Sequence, residues 1–232
     1  MTNQWDDTAC LGRYQALVES RPELFENPER GGYRILSDRR QIEEAKRAAL
    51  ARRQRENLPS EDLRVGVLAD DPYVLVMREA VRFPDGTLGL YNRFFVPVSI
   101  VVLPILQGRI VLMHRYRHGT RAWHYEVPRG IIDAGENIQD AARRELSEEI
   151  GGETLELIPL GSLHASSGIT NEFGHLFVAH LASIGRPDQH EAVARIELVD
   201  QQSFRSMIAA GDISDGPTLA AYAQAQARGL LA

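Results

Sequence analysis

The feature of this sequence that most constrains its fold is a short helical segment whose apolar side carries glutamates. Asn137 is suited to an N-cap and Gly151 to the glycine that ends a helix, so the pattern predicts a helix between them. At about 100° per residue, one stripe of this helix is apolar in its first half and acidic in its second. The stripe and its flank contain Ile138, Ala141, Ala142, Glu145, Leu146, Glu148, Glu149 and Ile150. Because buried carboxylates need a cation, this pattern favours a bound divalent ion such as Mg²⁺, and the alternative is a solvated acidic face.

The spacing around the glutamates decides between these two interpretations. Residues 130–152 follow the pattern G-x5-E-x7-R-E-U-x-E-E-x-G-U, in which U is a large aliphatic residue; the matching identities are Gly130, Glu136, Arg144, Glu145, Glu148, Glu149 and Gly151. A chance match to all of these identities in a chain of this length has a probability on the order of one in a million. The segment resembles the Nudix box. It departs from the pattern at Gly152, where an aliphatic residue is usual.

The resemblance to the Nudix hydrolases implies a fold and a division of the chain. The family fold is of the α/β (α+β) class, with a mixed β-sheet sandwiched between helices. Residues 1–60 are expected to form a helical N-terminal extension, and alternating apolar residues predict strands in 61–95. Residues 96–232 then form the expected Nudix hydrolase domain. Similar N-terminal strands mediate dimerisation in the ADP-ribose and nucleotide-sugar pyrophosphatase branch of the family, so residues 61–95 are a candidate dimerisation element and the resemblance implies a homodimer.

The same resemblance assigns roles within the box. Glu145 and Glu149, one helical turn apart, are implied to be direct metal ligands and catalytic residues, and Glu148 joins them or holds a metal-bound water. The backbone carbonyl of Arg129 matches a further ligand position. The expected cation is Mg²⁺, with Mn²⁺ as an alternative, because both take oxygen ligands. Structural roles are implied for Gly130, Gly151 and the pair that braces the loop against the helix, Glu136 and Arg144.

Segments outside the box resemble the ADP-ribose and nucleotide-sugar pyrophosphatase branch and imply the substrate-binding residues. HRYRHG is similar to an R-Q-Y-R segment that supplies a phosphate-binding arginine; Arg117 matches it, and Arg115 replaces the glutamine. The alternative is that both arginines are ordinary charges at a strand end. EVPRG and SSGITNE place Glu126 and Glu172 at positions that contact substrate or a partner subunit in that branch. GDISDGPTLAA resembles its C-terminal segment. The implied substrate is a small nucleotide sugar.

The general base remains open at the sequence level. Relatives use a glutamate on a loop late in the fold, and RPDQHEAV offers Glu191 with a shift of one residue. Glu172 is the competing choice. A hydroxide that bridges bound metal ions and is flanked by the box glutamates is a third possibility, which needs no dedicated base.

Composition sets the remaining expectations. The chain has 232 residues, enough for one globular domain with an appendage, and its net charge of -6 makes nucleic acid an unfavourable partner. Its one cysteine, Cys10, fits the reducing cytoplasm. No apolar run is long enough to span a membrane, and the first ten residues lack the pattern of a signal peptide, so a cytoplasmic enzyme without membrane contact is expected.

Two other functions compete with nucleotide-sugar hydrolysis. The first is a non-catalytic Nudix-fold sensor, which binds such a ligand and regulates a partner. Sensors of that type commonly lose box carboxylates, and all are present here. The second is a hydrolase of capped RNA or dinucleoside polyphosphates, which the acidic net charge and the lack of a basic, aromatic-interleaved groove disfavour.

Overall fold

The computed structural model describes residues 7–188 and 190–231. The first six residues, on which the expectation of no signal peptide partly rests, lie outside the described residues. The chain forms two compact units. One contains Met1–Val96 and Gly168–Asn171, and the other contains Pro97–Ser167 and Glu172–Ala232.

The first unit combines two helices with a small antiparallel sheet. Its elements are α1 (Thr8–Ser20), a 3₁₀ turn (Pro22–Phe25), β1 (Arg34–Ile35), α2 (Arg39–Arg55), β2 (Gly66–Asp70), β3 (Leu75–Arg82) and β4 (Leu88–Phe95). Strand β3 pairs antiparallel with β1, β2 and β4. Asp38 caps α2 by accepting a hydrogen bond from the backbone N–H of Gln41. The buried side of α2, with Ile42 and Ala45, packs in a core cluster with Val65 and Ala80 of the strand region.

The second unit is a mixed sheet with helices on both faces. Its elements are β5 (Ser99–Leu106), β6 (Arg109–Arg117), β7 (Ala122–Glu126), β8 (Arg129–Ile131), α3 (Ile138–Ile150), β9 (Glu153–His164), β10 (Phe173–Ser183), β11 (Val193–Val199), α4 (Gln201–Ala210) and α5 (Gly216–Ala227). The strand order is β11-β6-β5-β10-β9, with β7 beside β6 and β8 beside β5. The β5–β10 pair is parallel, and the other pairs are antiparallel. The predicted mixed sheet between helices is confirmed.

Side-chain alternation along β5 and β6 divides the core of this unit into two layers. In β6, Val111 and Met113 pack in the layer of α3, whereas Ile110 and Leu112 pack in the layer of α4 and α5. Because successive residues of a strand point to opposite faces, Arg115 continues the α3 side of β6. Arg117 does the same two residues later. The strand pattern therefore brings both arginines to the face that α3 covers.

The structure adds details that the sequence pattern did not give. Strands β7 and β8 include the two ends of the EVPRG segment, and neither strand is predicted from the sequence. Ile138, at the first helical position, is 36% exposed, so the buried stripe of α3 begins one turn later than expected, at Ala141. Within residues 7–188 and 190–231, no helix has both the length and the apolar character needed to cross a membrane.

Candidate active site

Helix α3 has the predicted caps. The Asn137 side chain accepts a hydrogen bond from the backbone N–H of Gln139 at 2.8 Å, and Asp140 lies in the first turn. Gly151 ends the helix in the left-handed conformation, with φ 59°. A Cβ at Gly151 would lie 2.7 Å from the Cα of Gly185, so the turn needs glycine for space as well as for its backbone angles.

Glu145 lies buried against the backbone of Gly130. A Cβ built on Gly130 would come 1.9 Å from one carboxylate oxygen of Glu145 and 2.3 Å from the other. The glycine at the start of the box therefore provides the space that this carboxylate fills. Burial raises the pKa of Glu145, while the hydrogen bond and charge of Arg144 oppose that rise.

Replacing Gly130 by Ala is expected to displace the Glu145 carboxylate and to lower kcat by about tenfold or more. The backbone of Gly130 is compatible with Ala, because it is not among the glycines with positive φ. The free energy of unfolding is therefore expected to fall by only about 1–2 kcal/mol. Steady-state kinetics and urea unfolding check both values. Gly12→Ala, at an exposed helical site where the new Cβ has no atom within 4 Å apart from its chain neighbours and its own helix backbone, is the matched control and should leave kcat unchanged.

Glu149 is the most deeply buried carboxylate of the helix, at 1% exposure. One of its oxygens accepts a hydrogen bond from the backbone N–H of Arg129 at 2.9 Å, and the other contacts the guanidinium of Arg115. The pKa of Glu149 is raised to about 7, mainly by burial; Arg115 and the Arg129 N–H oppose the rise, and the charges of Glu145 and Glu191 add to it. A buried carboxylate with acidic neighbours is an environment that a bound cation would stabilise.

Arg144 ties the loop of the box to the helix. Its Nε and one terminal nitrogen each donate to a carboxylate oxygen of Glu136 at 2.9 Å, and the same terminal nitrogen reaches the carbonyl of Ile131 at 2.9 Å. The other terminal nitrogen donates to Glu145 at 2.7 Å and to Glu148 at 3.1 Å. The hydrogen bonds from Arg144 lower the pKa of Glu136 to about 2. This geometry suits the bracing role that the resemblance implies.

A cluster of arginines surrounds Glu126, whose side chain is fully buried. Arg117 lies 2.7 Å from one oxygen and donates from Nε to the other at 3.0 Å. Arg129 lies 3.6 Å away and Arg115 3.9 Å away. Arg115 also contacts Glu149, so the two arginines of β6 reach the carboxylates of α3 through one connected network. A contact between Glu126 and substrate stays a prediction.

Glu191 reaches this network from the loop before β11. The loop is fixed to the end of α3, because the backbone N–H of Gly185 donates to the carbonyl of Ile150 at 2.9 Å and that of Asp188 to the carbonyl of Glu148 at 2.7 Å. The Glu191 carboxylate contacts Arg115. Glu172, the competing candidate base, is half-buried immediately before β10. The described contacts therefore place Glu191 beside the box helix.

Asp215 and Thr218 also support the site, although neither is among the functional residues predicted from the sequence. Asp215 caps α5, lies 3.3 Å from Arg129, and accepts from the Thr218 hydroxyl at 2.7 Å. The Thr218 oxygen accepts from the backbone N–H of Val127 at 3.1 Å. These contacts hold the segment that carries Glu126 and Arg129. The sequence signal for both residues is the segment GDISDGPTLAA, which contains them and resembles the C-terminal segment of the branch.

The available donors fit a hard divalent cation such as Mg²⁺ or Mn²⁺. They are carboxylate oxygens of Glu145, Glu148 and Glu149 and the carbonyl of Arg129, with no soft sulfur or nitrogen ligand. Two of these carboxylates are buried, and Gly130 leaves the space that one of them occupies. In the described part of the chain, no three acidic, histidine or cysteine side chains converge closely enough to hold a metal by themselves. The carboxylates are instead paired with arginines.

The comparisons with known proteins agree with this geometry. The family model "NUDIX domain" matches residues 96–222. An ADP-ribose pyrophosphatase of Bacillus subtilis (strain 168) is 26% identical over 150 residues, which cover 62% of this chain and 80% of that protein. The ADP compounds hydrolase NudE of Escherichia coli (strain K12) is 32% identical over 74 residues, which cover 31% of this chain and 39% of that protein.

Structural similarity extends over most of the chain. A crystal structure of an ADP compounds hydrolase superposes with a TM-score of 0.61 and 21% sequence identity, covering 71% of this chain and 90% of that one. At this identity the similarity establishes the fold alone. The family match spans more than half of the chain and includes the whole box. This chain therefore belongs to the Nudix family and is a Nudix pyrophosphohydrolase.

Proposed function

We propose that this enzyme hydrolyses the diphosphate bond of a nucleoside diphosphate linked to a sugar, ADP-ribose or a related nucleotide sugar. The products are a nucleoside monophosphate and a sugar phosphate. The observation that carries the proposal is one connected network on one face of the sheet. In it Arg115 of β6 contacts the buried Glu149 of α3, and Arg115 and Arg117 pair with the buried Glu126 of β7. A site for a diphosphate and a cation needs negative carboxylates to bind the cation and positive guanidinium groups to bind the phosphate oxygens. The ADP-ribose pyrophosphatase and the ADP compounds hydrolase among the relatives support this substrate class.

The carboxylates would hold Mg²⁺ or Mn²⁺. Glu145, Glu149 and the Arg129 carbonyl are the proposed direct ligands, with Glu148 as a ligand or as the acceptor for a bound water. When bound, the cation would neutralise diphosphate charge and make the attacking water more acidic. The backbone N–H of Arg129 and the guanidinium of Arg144 orient the carboxylates.

Two arginines and three glutamates have the remaining proposed roles. Arg117 and Arg115 bind diphosphate oxygens, because a guanidinium presents forked donors that match phosphate. Glu126 and Glu172 are proposed to contact the substrate, and Glu126 also holds Arg117 in place. Glu191 is the proposed general base, since its loop places it beside α3. It would accept a proton from the water that attacks phosphorus.

A substrate panel tests the proposal. The full chain is incubated with Mg²⁺ and ADP-ribose, GDP-mannose, UDP-glucose or a dinucleoside polyphosphate, and the products are separated by ion-exchange chromatography. We expect a nucleotide sugar to have the highest kcat/KM and to yield a nucleoside monophosphate. Exclusive cleavage of the dinucleoside polyphosphate would contradict the proposed substrate class. Tight binding without turnover would indicate the sensor alternative.

A homodimer and a cytoplasmic location remain predictions. The first rests on the resemblance of residues 61–95 to a dimerisation element, and the second on the single cysteine, Cys10. In sedimentation velocity at micromolar concentration, we expect the full chain to sediment at twice its monomer mass of 25.9 kDa. A species of monomer mass across the accessible concentration range would contradict the predicted assembly.

A further inference from the structure

We propose that Arg115 makes metal binding by this enzyme depend on the binding of a diphosphate. The inference rests on the proposed function for the identity of that diphosphate. The R-Q-Y-R segment that HRYRHG resembles has a neutral glutamine at the position of Arg115. This chain therefore has an additional permanent charge at the site. The contacts of that charge suggest what it does.

The guanidinium of Arg115 bridges two carboxylates that come from different parts of the chain. One terminal nitrogen contacts Glu149, on α3, and the other contacts Glu191, on the loop before β11. The Arg115 side chain is only 14% exposed, and that of Glu149 is 2% exposed. In this low-dielectric position the ion pairs are weakly screened by solvent. Arg115 therefore acts as an internal cation for the carboxylate that is the central metal-ligand candidate.

A divalent cation and the Arg115 guanidinium compete for the same Glu149 carboxylate. The carboxylate oxygen that does not accept from the Arg129 N–H is the one that Arg115 contacts. Metal binding without substrate must therefore displace part of the guanidinium's hydrogen bonding. Glu126, 3.9 Å from Arg115, is already paired with Arg117 and offers a poor alternative partner.

A bound diphosphate removes this competition. Its anionic oxygens give the guanidinium new acceptors, and Glu149 and Glu191 are then free to bind a cation and a water. Metal and diphosphate each favour the state in which Arg115 has left the carboxylates, so their binding is positively coupled. By linkage, the factor by which the diphosphate tightens metal binding equals the factor by which the metal tightens diphosphate binding.

The coupling can be measured by Mn²⁺ binding to the full chain, followed by electron paramagnetic resonance of free Mn²⁺. The probe is α,β-methylene-ADP, whose diphosphate analogue resists hydrolysis, and Mn²⁺ bound by the probe in solution is subtracted. For the wild type, saturating probe is expected to tighten Mn²⁺ binding by about tenfold or more. In Arg115→Gln, Mn²⁺ binding without probe is expected to be about tenfold tighter than in the wild type, and the probe should tighten it by a smaller factor than in the wild type.

Arg109→Gln is the matched control, because it removes the same charge from the exposed start of the same strand. Its Mn²⁺ affinity should equal that of the wild type, with and without the probe.

If Arg115→Gln does not fold, Arg115→Lys is used in its place. One ammonium does not reproduce the forked guanidinium that bridges both carboxylates, so this variant is also expected to bind Mn²⁺ more tightly than the wild type. Equal Mn²⁺ affinity of the wild type and the folded variant without probe would overturn the inference. This outcome is distinct from failure of the proposed function. That failure would show in the substrate panel, whereas the Mn²⁺-binding data could still show that Arg115 and the cation compete for Glu149.

Discussion

Replacing Glu149 by Gln is expected to lower kcat by more than tenfold with every active substrate. Gln keeps the shape of the side chain and can still accept from the Arg129 N–H at 2.9 Å. It loses the negative charge that a divalent cation needs from its most buried ligand candidate. A tenfold loss corresponds to about 1.4 kcal/mol, which is the least that a central ligand should contribute to the reaction barrier. Initial rates at saturating Mg²⁺ and substrate measure the effect.

Glu156→Gln provides the control for this substitution. Glu156 is an exposed glutamate of β9, so the change is chemically identical but lies outside the network around Glu149. Its kcat should equal that of the wild type. A Glu149→Gln enzyme with more than about a tenth of wild-type kcat would show that Glu149 is not a central metal ligand.

Replacing Arg117 by Ala is expected to lower kcat/KM by roughly 30- to 1000-fold, which corresponds to a loss of about 2–4 kcal/mol of transition-state stabilisation. A guanidinium that binds diphosphate oxygens stabilises charge that develops in the transition state, so kcat should fall together with substrate affinity. The Kd for Mn²⁺ measured without nucleotide should stay close to that of the wild type. That combination separates a phosphate-binding role from a role in holding the metal.

A structural contribution of Arg117 must be separated from its effect on substrate. The Glu126 carboxylate, which is buried, pairs with Arg117, so Arg117→Ala leaves that charge with more distant arginines and is expected to reduce stability. Arg117→Lys keeps a positive charge near Glu126 and should recover the melting temperature better than the activity, because an ammonium lacks the forked donors. Near-wild-type kinetics of an Arg115/Arg117 double variant would rule out both arginines as the diphosphate site.

The site helix could be predicted closely from the sequence because its signals are local. Asn137 and Gly151 determine its ends by short-range hydrogen bonds and backbone conformation, and the observed helix lies between them. The acidic half-stripe likewise needs only the helical period. The prediction that Ile138 is buried was wrong. The first residue of a helix can extend past the core even when it lies on the same stripe as the buried residues.

The partners of Arg115 and Arg117 could not be predicted in the same way. Two-residue spacing on a strand predicts that both face one side, but not which carboxylates meet them there. Glu191 reaches Arg115 across 76 positions of sequence, and that contact depends on how the loop is fixed to the end of α3. The support from Thr218 to Val127 spans 91 positions. Such long-range contacts follow from the tertiary fold and have no periodic signal in the chain.

Hydrolysis of ADP-ribose in ¹⁸O-labelled water tests most directly whether the box carboxylates and the arginines of β6 cleave a diphosphate. The full chain is incubated with Mg²⁺, and the masses of the products are measured by mass spectrometry. Water attack on phosphorus predicts AMP and ribose 5-phosphate, with one ¹⁸O in the phosphate of one product, and no reaction after chelation of the metal. Release of intact ADP, with the label on the sugar, would contradict cleavage at the diphosphate and with it the proposed chemistry of this site.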